Sequence, residues 1–93
     1  MKEITMLKLN KIKKCLWRIF EAEDNATSEN GTIIFDDYHD YLSYHANNRA
    51  LNHYLKGYTK DEADELLNNI KWQNDNCVEV LEKLGWKIIR EKD

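Results

Sequence analysis

The stretch "LNKIKKCLWRIF", Leu9 to Phe20, decides the fold, because its apolar residues recur at the spacing of an α-helix. They stand three, four and three positions apart: Leu9, Ile12, Leu16 and Ile19. Residues at these steps lie on one side of a helix, so one face of this segment is apolar and can pack into a core. The pattern predicts an amphipathic first helix from about Ile4 to Ala22.

A second apolar pattern of the same period fills the C-terminal third of the chain. It follows Thr59-Lys60-Asp61-Glu62, where the Thr59 hydroxyl and the Glu62 carboxylate can each bind a free backbone amide as a capping box. The seam then runs for three heptads: Ala63, Leu66, Ile70, Gln73, Cys77, Val80 and Leu84. If unbroken, this helix is about 37 Å long at roughly 1.5 Å per residue, although the weak helix formers at residues 73–76 favour a kink. We expect it to end at Gly85 and to pack against the first helix as the core pair.

The middle of the chain is less regular. Residues 23–30 are acidic and rich in asparagine, which predicts a loop, and the β-branched Thr32 to Phe35 predicts a strand. The apolar phase of the next segment changes near Asn47 and Asn48, which favours two short helices, about 37 to 46 and 49 to 57. Trp86 to Arg90 predicts a second strand, and the simplest partner for it is the first one.

The fold class that follows is α+β and mostly α, in a single compact domain that covers residues 1–93. We expect about four helices, two long and two short. A minimal two-stranded sheet is predicted from residues near 32–35 and 86–90.

Composition narrows the class of protein. The chain is 42% hydrophobic and 33% charged, which is typical of a folded and highly charged protein. Lysines interrupt its apolar segments, so none approaches the ~20 residues that span a bilayer, and we expect a cytoplasmic protein with no membrane segment. Cys15 and Cys77 lie on apolar helix faces and are expected to be reduced core thiols.

The stretch "FDDYHDYLSYH", Phe35 to His45, carries the residues best suited to catalysis. Its aspartates are explained as caps of a helix that begins after Phe35. Its histidines lie six positions apart and do not converge on one point. Because no nucleophile motif and no glycine-rich phosphate loop occurs either, the sequence predicts no enzyme, no metal site and no cofactor.

Charge is distributed unevenly along the chain, although the net charge is only −3. Residues 1–20 hold six bases and one acid, whereas residues 19–48 contain no lysine or arginine and seven acids. Tyrosines beside carboxylates suit docking on a basic, partly apolar surface. We therefore predict a partner-binding surface from this middle segment: Glu21, Asp24, Asp36, Asp37, Tyr38, Asp40, Tyr41 and Tyr44. The expected partner is a protein with a basic surface, such as a nuclease or another nucleic-acid-binding protein.

This profile of a small, acidic chain rich in lysine, asparagine and isoleucine resembles that of phage and mobile-element proteins. Among those proteins, inhibitors of host defence nucleases, including anti-CRISPR proteins, often use acidic surfaces. The resemblance implies a viral anti-defence inhibitor or regulator that acts in the host cytoplasm.

Two alternatives stay open at this point. The basic side of the first helix offers a nucleic-acid face, which would suit a small transcriptional or replication regulator: Lys11, Lys14, Trp17 and Arg18. The seam from Ala63 to Leu84 also permits a homodimer.

Overall fold

The computed structural model describes residues 2–90 of the chain, apart from the side chain of Asn74. The elements follow one another in this order: β1 (Glu3–Thr5), α1 (Met6–Asp24), β2 (Thr27–Glu29), β3 (Thr32–Ile34), α2 (Tyr38–Tyr54), α3 (Lys60–Trp72), a 3₁₀ turn (Asn74–Asn76), α4 (Cys77–Lys83) and β4 (Lys87–Ile89). The mostly α fold with four helices and minimal sheet structure is confirmed. Residue 1 and residues 91–93 of the predicted domain lie outside the described residues.

Helix α1 forms as its apolar pattern predicts. The Thr5 hydroxyl accepts a hydrogen bond from the Lys8 amide at 3.1 Å and caps the N-terminus. The predicted stripe is buried together with two smaller residues on the same side: Leu9, Ile12, Cys15, Leu16, Ile19 and Ala22. Within residues 2–90, no helix combines the length and the apolar character needed to cross a lipid bilayer.

Helix α2 is one continuous helix, so the prediction of two short helices is wrong. Asn47 lies in the middle of α2 and is buried, and its amide donates to the Ser43 carbonyl oxygen at 2.8 Å. The Asn48 amide donates in the same way to the Tyr44 carbonyl oxygen at 2.9 Å. Both asparagines bond to the preceding turn of their own helix rather than capping a break. Asn47 therefore occupies a core-facing position of α2. The change in helical phase that the apolar residues alone suggested is not present in the structure.

The final helix is broken where its weak helix formers lie. Helix α3 begins with the predicted capping box, in which Thr59 and Glu62 exchange hydrogen bonds of 2.9 and 3.2 Å, and it ends at Trp72. The 3₁₀ turn follows, and a separate helix, α4, begins directly after it. Helix α4 ends just before Gly85, whose φ is positive.

The predicted apolar seam of α3 and α4 lies in the chain's own core only in part. Its buried members are Leu66, Ile70 and Cys77, and on α4 the buried residue is Leu81 rather than the predicted Val80 and Leu84. They share one cluster with the buried face of α1, yet the closest helix packing is between α1 and α2, so the expected core pair is wrong in part. The homodimer predicted through Ala63–Leu84 stays a prediction: Leu66, Ile70 and Cys77 are buried in this chain's own core, whereas Gln73 and Leu84 are exposed.

Both predicted strands exist, but their predicted pairing is wrong. Strand β3 pairs antiparallel with β2, with Thr27 opposite Ile34, and β4 pairs parallel with β1, with Ile4 opposite Ile88. The result is two separate two-stranded sheets. β1 was not predicted, because the first helix was predicted to begin at about Ile4, within this strand.

Contacts around Glu65 hold the β1–β4 pair on α3. The Lys2 ammonium and the Trp86 indole both donate to Glu65 Oε1, at 2.9 and 2.5 Å. The Tyr58 hydroxyl donates to the Glu3 carbonyl oxygen at 2.7 Å, and its ring lies 5.7 Å from that of Trp86. Side chains from four separate parts of the chain thus meet at this end of the molecule.

Replacing Glu65 with glutamine should make stability less sensitive to acid. The hydrogen bond from Lys2, followed by that from Trp86, lowers the pKa of Glu65 below its ordinary 4.5. A lowered folded-state pKa adds stability above the ordinary value and loses it as the pH falls through the folded-state value. Urea unfolding from about pH 7 to about pH 3 should therefore show a smaller acid-induced loss of unfolding free energy in Glu65→Gln. An equal loss in both proteins would contradict this role.

Candidate functional site

A surface groove of about 740 Å³ lies between the β2–β3 hairpin and the first half of α2. We refer to it as the tyrosine groove. Its lining combines aliphatic, aromatic and acidic side chains: Ile33, Ile34, Phe35, Asp36, Tyr38, Tyr41 and His45. Exposed apolar side chains gathered in a concave surface are typical of binding sites rather than of inert protein surface.

A two-residue turn builds the hairpin wall of the groove. Asn30 and Gly31 have φ values of 51° and 78°, the left-handed conformation that a type I′ turn requires at both central positions. Strands β2 and β3 pair directly on either side of it, with Glu29 opposite Thr32. The prediction of a loop over residues 23–30 is therefore wrong in part, since Thr27–Glu29 form β2, and Asn-Gly ahead of a β-branched run is a hairpin signal.

The N-terminus of α2 builds the opposite wall. Asp37 caps the helix, since its Oδ1 accepts a hydrogen bond from the His39 amide at 2.9 Å. Tyr38, Tyr41 and His45 then follow at steps of three and four and share one exposed face. The rings of Tyr38 and Tyr41 are nearly parallel, at 14° with centroids 5.9 Å apart, and the ring of His45 lies 4.5 Å from that of Tyr41. Tyr38 is 72% exposed.

Phe35 connects the two walls. Its half-buried ring lies 5.1 Å from Tyr44 and 6.0 Å from Tyr41, measured between centroids. Tyr44 itself is half-buried against the core, so it supports the groove and does not line it. Phe35, Ile33, Ile34 and His45 were not predicted as site residues, because their exposure depends on the hairpin.

The acids of the predicted partner-binding surface are divided among three places. Asp36 lines the tyrosine groove, and Asp37 caps α2 beside it. Glu21 and Asp40 line a different cleft of about 360 Å³ between α1 and α2, together with Arg18. Asp24 lies at the base of the hairpin. The predicted residues are therefore neighbours, but they do not form a single patch.

The acids of this region have few cations near them. Within residues 2–90, no carboxylate from Glu21 to Asp40 forms an ion pair. Lysine and arginine are absent from residues 19–48, so among the described residues cations approach the region only from outside that segment, as Arg18 does. Negative potential at this surface favours a cationic ligand.

The residues of the alternative nucleic-acid face all lie exposed on α1: Lys11, Lys14, Trp17 and Arg18. The Lys11 ammonium lies 6.0 Å from the ring of Tyr54 on α2, and Arg18 lines the cleft with Glu21 and Asp40. Trp17 packs edge-on against Phe20, at 5.8 Å. Nucleic-acid binding by this face stays a prediction.

The described residues supply little that is typical of catalysis. Cys15 and Cys77 are buried and free, as predicted, and burial raises the pKa of both thiols, which makes them weak nucleophiles at neutral pH. Within residues 2–90, no group of three or more histidine, cysteine, aspartate or glutamate side chains is placed to hold a metal ion.

Comparison with known proteins finds no relative for this chain. No family model matches the sequence, and no curated protein or solved structure matches it either. The chemistry of the tyrosine groove therefore carries the functional argument.

Proposed function

We propose that this chain is a non-enzymatic interaction protein that uses the tyrosine groove and the acids beside it to bind a basic surface of another protein. The observation that carries the proposal is the grouping of exposed Tyr38 and Tyr41 in one concave surface with Asp36, which forms no ion pair within residues 2–90. Such a partner would be a nucleic-acid-binding enzyme or regulator, and binding would inhibit it by covering its basic groove.

The two kinds of side chain have different tasks in this proposal. Tyrosines bury a large rigid ring on binding and can still hydrogen-bond through the hydroxyl, which makes them common anchors in interfaces. Carboxylates at the rim mainly accelerate association and select a partner of opposite charge. A surface with both suits a basic partner that has some apolar area.

The proposal that this chain is an inhibitor of host defence follows from its size and composition rather than from the tyrosine groove. A small acidic protein without a catalytic centre suits an anti-defence inhibitor of the phage or mobile-element type, acting in the host cytoplasm. Affinity capture from host lysate, followed by a nuclease assay of the captured protein with and without this chain, would test the inhibitor role.

Neutralising the acids of the site should slow association with the captured partner. In Asp36→Asn/Asp37→Asn/Asp40→Asn, the on-rate at low salt should fall by about 10-fold and depend less on salt, because electrostatic steering is lost. Asparagine caps helices as well as aspartate does, so α2 should stay folded. Stopped-flow or surface-plasmon kinetics between about 20 and 300 mM salt would measure both effects.

A matched control keeps the same change of net charge away from the groove. Asp64→Asn/Asp75→Asn/Glu82→Gln alters three exposed acids of α3, the 3₁₀ turn and α4, and it should leave the on-rate within about 2-fold. Equal slowing by both triple variants would show a general charge effect and remove the proposal. Tight DNA or RNA binding that is abolished by Lys11→Gln, Lys14→Gln and Arg18→Gln would favour the nucleic-acid regulator instead.

A further inference from the structure

We propose that the tyrosine groove is a receptor for an arginine side chain, presented by an exposed segment of the partner. This inference rests on the proposed function and specifies the chemistry of its ligand. It concerns which cation the groove accepts, whereas the proposal above concerns only the charge of the partner.

The flat aromatic surface is the first argument. Tyr38 and Tyr41 stack at 14° with their centroids 5.9 Å apart, and Tyr38 is 72% exposed, so the Tyr38 ring has a planar face that a ligand can reach. A guanidinium is planar and weakly hydrated, and it stacks on aromatic faces with less loss of hydration than an ammonium. The shape of this face therefore favours arginine over lysine.

The carboxylate beside the rings is the second argument. Asp36 lines the same groove and forms no ion pair within residues 2–90. The N–H donors of a stacked guanidinium lie in its own plane, parallel to the ring, and point outward from its edges, where a neighbouring carboxylate can accept two of them. Asp37 is less suited to this role, since one of its oxygens already accepts the His39 amide.

The aliphatic wall is the third argument. Ile33 and Ile34 lie across the groove from the tyrosines and are partly exposed. The methylene stem of a long cationic side chain buries apolar surface against such a wall while its head stays at the polar end. The groove thus has a place for each part of an arginine side chain.

Within residues 2–90, no lysine or arginine lines the tyrosine groove. The nearest of these residues along α2 is Arg49, which lines an adjoining cavity that shares Tyr41 and His45 with the groove. Eleven residues separate Arg49 from Tyr38, which corresponds to about 16 Å along a helix. Among the described residues, no lysine or arginine therefore competes for the aromatic face near Tyr38.

Titration with small blocked amino acids would test the inference directly. The probes are N-acetyl-arginine methylamide, its lysine analogue and its uncharged citrulline analogue, each followed by ¹H–¹⁵N NMR on the full chain. We expect arginine to shift amides in residues 33–45 and to bind at least about 3-fold more tightly than lysine, with citrulline weaker than both.

Variants of the groove should weaken the arginine probe selectively. Tyr38→Ala and Asp36→Asn should each weaken binding by about 2- to 5-fold, the range of an exposed cation–π contact or ion pair. The matched controls, Trp72→Ala and Asp64→Asn, remove an exposed aromatic ring and an exposed acid elsewhere and should change nothing. Arg49→Gln should not weaken binding either.

The outcomes separate this inference from the proposed function. Equal binding of arginine and lysine, shifts spread over the acids of α3, or no effect of Tyr38→Ala would overturn the arginine receptor. If the triple aspartate variant still slows association with the basic partner in that case, the proposed function stands alone. If neither the probe nor the partner responds to these changes, both proposals fall.

Discussion

Replacing Trp86 with alanine is expected to lower the free energy of unfolding by about 3 to 5 kcal/mol. Trp86 is 3% exposed, lies against the ring of Tyr58 and donates its indole N–H to Glu65. The substitution leaves a cavity at the start of β4 and removes one hydrogen-bond donor from Glu65. Because a domain of this size has about 5 to 15 kcal/mol of stability in total, the loss is a large share of it.

The chain contains its own control for this experiment. Trp72 is 71% exposed at the end of α3, so Trp72→Ala should cost less than about 1 kcal/mol. Urea unfolding followed by far-ultraviolet circular dichroism would measure both variants with the same probe. Similar losses in the two variants would mean that Trp86 does not hold the termini on the core.

Replacing Leu51 with alanine is expected to cost about 2 to 3 kcal/mol, at the lower end of the range for buried leucines. Leu51 is 7% exposed and belongs to the main core cluster, which it joins from the second half of α2. It lies one turn after buried Asn47, on the side of α2 that packs against α1. The loss should therefore loosen the helix that carries the tyrosine groove.

Leu42→Ala makes the same chemical change on the opposite side of the same helix. Leu42 is 49% exposed beside Tyr41, so its loss should change the unfolding free energy by less than about 0.5 kcal/mol. Leu42 does not line the tyrosine groove, but it shares a neighbouring cavity with Tyr41 and His45, which do, so under the proposed function its loss should weaken partner binding. Thermal unfolding of both variants, together with partner titration of Leu42→Ala, would test whether Leu51 serves stability and Leu42 serves binding. A destabilised Leu42→Ala would show that this side of α2 is structural.

Local signals account for the parts of the fold that the sequence predicted. The 3,4 spacing from Leu9 to Ile19 made α1 predictable, and the capping box at Thr59 and Glu62 located the start of α3. Asp37 was predicted among the caps of the helix after Phe35 and does cap it. Each of these signals lies within one or two helical turns, so no knowledge of tertiary contacts was needed.

Strand pairing could not be predicted in the same way, because it depends on residues far apart in the chain. The partner of β4 is β1, whose Ile4 pairs with a residue 84 positions later, and no local pattern records that choice. The break predicted at Asn47 was wrong for a related reason. Asparagine is common at helix ends, but in α2 the buried Asn47 amide hydrogen-bonds to the preceding turn, so the helix continues through it.

The candidate site was predicted in composition but not in arrangement. Tyr38, Tyr41 and Asp36 were chosen for their chemistry, and the structure gathers them in one groove. Glu21 and Asp40 were chosen on the same grounds, yet the packing of α2 on α1 directs them to another cleft. Ile33 and Ile34 were missed because they read as buried strand residues, and only the isolated hairpin leaves them exposed.

The pairing of β1 with β4 has a consequence for how this chain is made in a cell. β1 is translated before its partner β4, so it cannot form this pair until α1 to α4 have been translated. Until then its backbone amides and the side chain of Ile4 are open to any other extended segment, including that of a second nascent chain on the same message. We therefore expect misassembly between neighbouring copies to be favoured during synthesis, before β4 is available to pair with β1.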